Sequence, residues 1–504
     1  MATPIPDNEA PFRAEELLAV TEGEALRPLP EEVFGVCTDS RRVAADQLFV
    51  ALRGERFDGH DHVAAAAGAG ATAVMVERPV EVPEGVGVLR VPDTLEALGR
   101  LAAHHRGRFD LPVIAVTGSV GKTSTRTLLA AALRGVGRHV LETTGNLNNL
   151  IGAPMTLLTL AEEHDAAVVE IGMNTPGEIA RLTAIVAPTV GVVTAVAAAH
   201  TEGVGDLEGV AREKGALLLG LPPEGVAVHT ADDAVLLPWA DATPATHRLT
   251  FGVEAGATVR LLDWSIDLDE RGVPCTKARY RVGMRPIALR LRLLGGGSAR
   301  NVAATLATLE ALGEDLETAV AALEEVAPVP GRLAPRPAPR GRLVLDDSYN
   351  ASPRSVSAAL KTAAALARAR GTGMVAVLGD MLELGAEELA AHRTAGIRVV
   401  EAGARAFVAA GPRMSEAGRS ALRQTMDGPR GQRTAVVLVR DAAGAVEAAL
   451  EVARDDDVVL VKGSRSAGME AVVEALLDEA RATAPPSSMD DDEPAGHRDA
   501  DGET

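Results

Sequence analysis

Apolar residues fall along this chain in short runs separated by stretches in which Ala, Leu and Val recur at helical spacing. Runs without strict alternation predict strands buried on both faces, so run and helix in succession predict parallel sheets covered by helices. From about Glu15 to Asp93 the apolar stretches are Glu32–Val36, Gln47–Leu52, Val63–Ala69, Ala73–Val76 and Val86–Val91, and a helix is predicted over Leu95–Arg106. Phe109-Asp110-Leu111-Pro112 breaks the pattern. Strands Val113–Val116, Ala166–Ile171 and Val190–Val196 then alternate with helices over Lys122–Gly135, after Pro176 and over Leu207–Leu219. Further strands are expected within Thr258–Leu294, and a helix over Ala299–Leu312. Pro328–Arg342, dense in Pro, Gly and Arg, reads as a linker. After it, strands Leu343–Asp346, Val375–Leu378, Ala435–Val439 and Val458–Val461 alternate with helices Ser352–Arg368, Ala386–Ala402 and Ala442–Val452 before a final helix.

The expected fold class is therefore α/β in three domains: a small α/β unit over 1–107, a central parallel-sheet unit over 108–333 and a Rossmann-like unit over 334–482. No internal repeat is evident. Ligands of such open sheets gather at the carboxyl ends of the strands. Residues 483–504 are rich in Pro, Ser and Asp, cannot bury a core, and are expected to be disordered.

Length agrees with this division, since 504 residues exceed one ordinary domain. The net charge of −20 argues against general nucleic-acid binding, and the seven acids of Asp490–Thr504 against Arg498 place about −6 of it in the tail. Anionic substrates stay possible, because phosphates are held locally by backbone amides, Lys, Arg and metal ions. Cys37 and Cys275 match no metal or redox spacing and read as packed thiols of a reducing compartment. Met1–Pro11 lacks a basic cluster followed by an apolar run, and no stretch approaches the roughly twenty apolar residues of a membrane span. A cytoplasmic protein without membrane insertion is expected.

The clearest chemical motif runs from strand to helix through Gly118-Ser119-Val120-Gly121-Lys122-Thr123-Ser124. Glycines allow unusual dihedrals and close backbone approach; amides and the helix amino end face phosphate oxygens. Lys122 neutralises charge, and the Thr123 hydroxyl can coordinate Mg²⁺. The longer phosphate loop carries a glycine where this chain has Val116, which makes a generic GTPase or transport ATPase less fitting. A hard cation needs oxygen ligands with nearby acid or imidazole groups. Glu170 and His200 follow two further strands and could face Thr123 as metal ligands, although each could equally be a strand-end carboxylate or a capping histidine. Lys214 is either a solvated helix lysine or a neutral amine that captures CO₂ as a carbamate.

This loop, Glu170, His200 and the three-domain length resemble the Mur ligases, which join amino acids or a dipeptide to a nucleotide-linked muramyl precursor. Finer motifs resemble the branch of that family that adds D-alanyl-D-alanine. They are Thr144–Asn149, Glu170-Ile171-Gly172-Met173-Asn174, Asp346-Asp347-Ser348-Tyr349-Asn350, Leu378–Gly385 and Lys462-Gly463-Ser464-Arg465. The resemblance covers roughly residues 15–480 and implies ATP-dependent ligation of D-alanyl-D-alanine to UDP-N-acetylmuramoyl-tripeptide through an acyl phosphate, by a monomer. It assigns Lys122, Glu170, His200 and Lys214 to catalysis and Asn301, Arg332 and Asp347, with the loop, to ATP. In the same way Thr38, Asp39, Ser40, Arg41, Gly54, Asp58, Gly59, His60, Asn146 and Asn148 fall to the UDP substrate, and Asn350, Lys462, Gly463 and Ser464 to the dipeptide. The family's His-Asn pair ahead of Asn301 is replaced by Gly297-Ser298, so a histidine-dependent role there is in doubt. Rival readings are another ligase of this family, a folate polyglutamylating enzyme, or an ATPase switch that needs no amine.

Overall fold

A computed structural model describes residues 3–54, 57–197, 201–427 and 433–478. The predicted tail and His200 lie outside the described residues.

The amino-terminal sheet has five strands in the order Glu24–Arg27, Gly87–Arg90, Ala73–Val76, Leu48–Val50, Val36–Cys37, parallel except for the first, at the edge. The helix Thr94–Arg106 is capped by Asp93, which accepts from the Glu96 amide at 2.9 Å. Its Ala97, Leu98 and Leu101 share one apolar cluster with Leu157 and Leu182 of the central unit, so the two units are joined by continuous packing.

The central sheet has nine strands, with Val113–Thr117 between Ala166–Glu170 and Val190–Val193. It is parallel from Val140–Glu142 through His247–Gly252 to the start of Val259–Leu268. Beyond that point Pro274–Val282 and Arg285–Leu291, within the stretch Thr258–Leu294 expected to hold strands, complete it as an antiparallel meander. Buried and exposed residues alternate along this part, the pattern of a sheet with one face in water.

The carboxyl-terminal sheet has six strands, parallel except for Ala334–Pro337 at one edge. That strand lies inside the stretch read as a linker; an edge position tolerates its prolines because one side of the strand needs no amide donor. The strand Ala406–Ala410 and helix Met414–Asp427 were not foreseen between the predicted helix and Ala435–Val439. The helix Pro353–Arg370 starts at the Ser352 cap with proline in its first turn and stops at Gly371 (φ +69°).

This helix crosses the central helix Gly295–Leu312, which begins four residues earlier than expected. Gly295 (φ +84°) explains the contact: a Cβ there would sit 2.0 Å from the Thr362 hydroxyl. Leu294, Ile266 and Leu268 of the central unit join the apolar cluster of the third. Arg354 bonds Asp233 at 2.8 Å and the Val196 carbonyl at 3.1 Å across the same junction.

Candidate active site

The strand Val113–Thr117 is fully buried and delivers residues 118–121 to the carboxyl edge of the sheet. Gly118 (φ +149°) and Gly121 (φ +95°) cannot be replaced without collision, since added Cβ atoms would lie 2.0 Å from the Thr194 hydroxyl and 2.4 Å from Asn301 Oδ1. Thr194 Oγ1 donates to the Val120 carbonyl at 2.7 Å, and the Ser119 amide to the Ala195 carbonyl at 2.8 Å, pinning the loop to the neighbouring strand. Lys122 opens the helix Lys122–Gly135, and its Nζ donates to the Gly118 carbonyl at 2.7 Å. Burial lowers the Lys122 pKa; Glu170 raises it and Arg332 lowers it further.

Glu170, 2 % exposed, pairs in register with Val116. Its carboxylate accepts from Asn148 Nδ2 at 2.7 Å and from Arg126 at 3.4 Å. Lys214, 1 % exposed on the helix Leu207–Leu219, has a pKa pushed well below the usual lysine range by burial first and by Lys122 second.

The facing wall comes from the third unit. Asp347 ends the strand Leu343–Asp347, lies 2.7 Å from the Lys462 ammonium and accepts from the Leu333 amide at 3.1 Å. Burial nevertheless raises the Asp347 pKa, against the opposing pull of Lys462. Lys462 also donates to the Asn350 carbonyl at 2.7 Å. Ser464 Oγ accepts from the Leu382 amide at 2.9 Å, tying together the loops that follow two adjacent strands. The Arg332 guanidinium stacks 4.3 Å from the centre of the Tyr349 ring. Both walls enclose a cavity of about 600 Å³ that reaches Lys122, Glu170, Lys214, Asn301, Asp347 and Ser464.

Three family models account for most of the sequence. The Mur ligase family, catalytic domain, matches residues 32–106; the Mur ligase middle domain matches 116–309; the Mur ligase, glutamate ligase domain, matches 331–465. The chain belongs to the Mur ligase family. The Escherichia coli UDP-N-acetylmuramoyl-tripeptide–D-alanyl-D-alanine ligase is 38 % identical over 88 % of this Mur ligase and 93 % of its own length. A crystal structure of MurF from Acinetobacter baumannii superposes with a TM-score of 0.82 at 31 % identity, covering 93 % of this chain and 99 % of that one. The Thermotoga maritima MurF in complex with ADP gives 0.76 at 28 % identity, covering 88 % and 96 %.

In this Mur ligase the cavity gathers residues 119–124, Asn146, Asn148, Glu170, Lys214, Asn301, Arg332, Asp347, Asn350, Lys462 and Ser464 from distant parts of the sequence. Gly118 and Gly463 shape the loops from behind; a Cβ on Gly463 would lie 2.5 Å from Met469. The expected amino-terminal residues Thr38, Asp39, Ser40, Arg41, Gly54, Asp58, Gly59 and His60 line neither this cavity nor a second, smaller one beside it. The side chains of Asp39, Arg41, Asp58 and His60 have local work. Arg41 chelates Asp39 and holds its carboxyl at about 2. Asp58 caps the turn Gly59–His62, and the buried His60 ring bonds Asp58 at 2.6 Å and accepts from the Glu77 amide at 2.9 Å. Tyr349 and Arg465 entered the sequence reading within motifs but without roles, and Arg126 did not enter it. Arg126 could have, because it follows Thr123 by three residues and so shares its helix face.

Thr123 and Glu170 supply oxygen donors, which fits a hard divalent cation. Among the described residues no group of three or more His, Cys, Asp or Glu is gathered for a metal. No helix among them is long and apolar enough to cross a membrane.

Proposed function

We propose that this chain ligates D-alanyl-D-alanine to UDP-N-acetylmuramoyl-tripeptide with ATP, giving the pentapeptide precursor, ADP and phosphate. The observation that carries this reading is the shared cavity, in which a phosphate loop on one wall faces Asn350 and Ser464 on the other. The names of the full-length relatives and the ADP complex of the Thermotoga protein support it.

A carboxylate is a poor electrophile, so its oxygen first attacks the γ-phosphorus of ATP and ADP leaves. The dipeptide amine then attacks the acyl carbon, phosphate departs with the C–O electrons, and the amine gives up a proton. Lys122 neutralises charge on the transferred phosphoryl group. Thr123 and Glu170, with His200, would hold Mg²⁺, which supplies further positive charge to the phosphates when bound. Asn148 orients the Glu170 carboxylate through its 2.7 Å bond. Asn301, Arg332 and Asp347 flank the nucleotide, while the amino-terminal residues around Arg41 and His60, with Asn146, carry the UDP part. Lys214 has the buried, deprotonation-prone amine that carbamate formation requires; a carbamate resonance from ¹³C-bicarbonate that disappears in Lys214→Ala tests this. We assign the protein to the cytoplasm as a monomer, with unit boundaries near 107 and 333.

ADP release measured with the acceptor nucleotide and D-alanyl-D-alanine, omitting each in turn, tests the reading. Turnover is expected only with both. ADP release without an amine would support an ATPase, and preference for a single amino acid would support a sister ligase.

A further inference from the structure

A dipeptide brings a carboxylate that does not react and must be held apart from the reacting centre. By sequence position Lys462 suits that task, but its ammonium is 2 % exposed and neutralised by Asp347 at 2.7 Å. Arg465, three residues on, differs in every respect. Its side chain is 58 % exposed, and among the described residues it pairs with the half-exposed Glu470 at 3.8 Å, a contact weakened by solvent.

Arg465 also borders the second cavity, of about 450 Å³, with Thr123, Arg126, Asn146, Arg332 and Tyr349. That volume lies in the range of about 300–1,000 Å³ usual for small-molecule sites. Among the described residues no acidic side chain lines this cavity. Arg126 is satisfied by Glu142 at 3.2 Å and Glu170 at 3.4 Å. Arg332 and Arg465 are not comparably paired: their guanidinium carbons lie 4.3 and 5.6 Å from the centre of the one Tyr349 ring. Two cations gathered on a ring repel each other, and an anion arriving between them relieves that repulsion.

We infer that Arg465, which lines both cavities and follows Ser464 in the chain, binds the carboxyl-terminal carboxylate of the incoming dipeptide. The inference rests on the proposed ligase reading. Of the substrate anions, the acceptor's terminal carboxylate is consumed at the phosphate loop, and the ATP phosphates occupy that loop. The dipeptide carboxylate persists unreacted, one residue from the amine that forms the new bond. The large cavity lined by Asn350 and Ser464 is lined by Arg465 and Thr123 as well. Bound there, an extended dipeptide, roughly 7 Å long, would direct its amine toward the phosphate loop and its carboxylate to Arg465. The arginine fork suits a carboxylate in two-point contact.

The test is steady-state kinetics of the full chain and its Arg465→Ala and Arg465→Lys variants, with D-alanyl-D-alanine and with D-alanyl-D-alaninamide, whose end is neutral. Calorimetric titration of the dipeptide into enzyme loaded with acceptor and a non-hydrolysable ATP analogue gives affinity where turnover is too slow. Arg465→Ala should raise the dipeptide KM or Kd roughly 10- to 100-fold, leave the KM for ATP and acceptor unchanged, and cease to distinguish dipeptide from amide. Arg465→Lys should recover part of the loss. Unchanged dipeptide affinity, a loss confined to ATP or the acceptor, or retained discrimination against the amide would overturn the inference while leaving the ligase reading intact. Wild-type enzyme without dipeptide-dependent turnover would sink the ligase reading and, with it, this assignment.

Discussion

At the central end of the large cavity Lys122 and Lys214 have no carboxylate within ion-pairing distance among the described residues, whereas at the third-unit end Lys462 lies 2.7 Å from Asp347. Both ends lie at the carboxyl edge of a parallel sheet, so fold alone does not explain the contrast. A lysine paired inside the protein has spent its charge on the fold, and removing it strands the partner. A lysine desolvated without such a partner destabilises its own charged form and holds its attraction for a ligand. The first kind should report on stability and the second on turnover.

The largest expected effect tests the second half of that statement. Lys122→Ala should reduce kcat by about 10³-fold or more, because the lost cation acts on charge that develops during phosphoryl transfer. Its melting temperature should stay near that of the wild type, since among the described residues the lysine bonds only the Gly118 carbonyl of its own loop. Near-normal turnover by a folded Lys122→Ala protein would remove the phosphate loop from the chemistry.

Lys462→Ala tests the first half. Removing one partner of a buried pair costs roughly 3–5 kcal/mol, which should appear as a clear fall in the unfolding midpoint. The Asp347 pKa is already raised by burial. Between its unfolded and folded values the native state binds more protons, so stability falls as pH rises through that window. Without Lys462 the folded value moves higher still, and the deficit should be larger at pH 8 than at pH 5. Adding Asp347→Asn should restore much of the loss. Equal deficits at both pH values would mean that the pair is not what holds this corner.

The parts of this site that were legible in the sequence are those whose chemistry is local. The phosphate loop is one, because only glycine tolerates the dihedrals and close approaches at 118 and 121. Glu170 could be placed because it ends a recognisable apolar strand, and Asp347 because it lies in the motif Asp346-Asp347-Ser348-Tyr349-Asn350 that carries the resemblance. The stack of Arg332, Tyr349 and Arg465 was not legible, because it is assembled from the ends of separate strands and no spacing records it. In the fold, Ala406–Ala410 was missed because alanine is the strongest helix former, yet here its small side chains let a buried strand sit between helices. The Pro-rich edge strand Ala334–Pro337 was hidden by its own turn-like composition.

The smallest effect distinguishes the two unpaired lysines from each other. Lys122 has Glu170 raising its pKa, whereas for Lys214 burial and Lys122 itself act together, against weaker opposition from Glu213 and Glu178. Lys214 therefore has the stronger tendency to be neutral in the folded chain. Its folded pKa lies well below the ordinary 10.5. Between the two values the unfolded chain binds a proton that the native one does not, so native stability rises with pH across that interval. It stays at its lower level below the folded value. Lys214→Met abolishes this contribution. The stability of wild type relative to Lys214→Met, from urea unfolding in bicarbonate-free buffer, should climb with pH and approach a slope of about 1.4 kcal/mol per pH unit. A flat difference from pH 7 to 10 would mean that Lys214 stays charged in the fold, and a charged amine cannot take up CO₂.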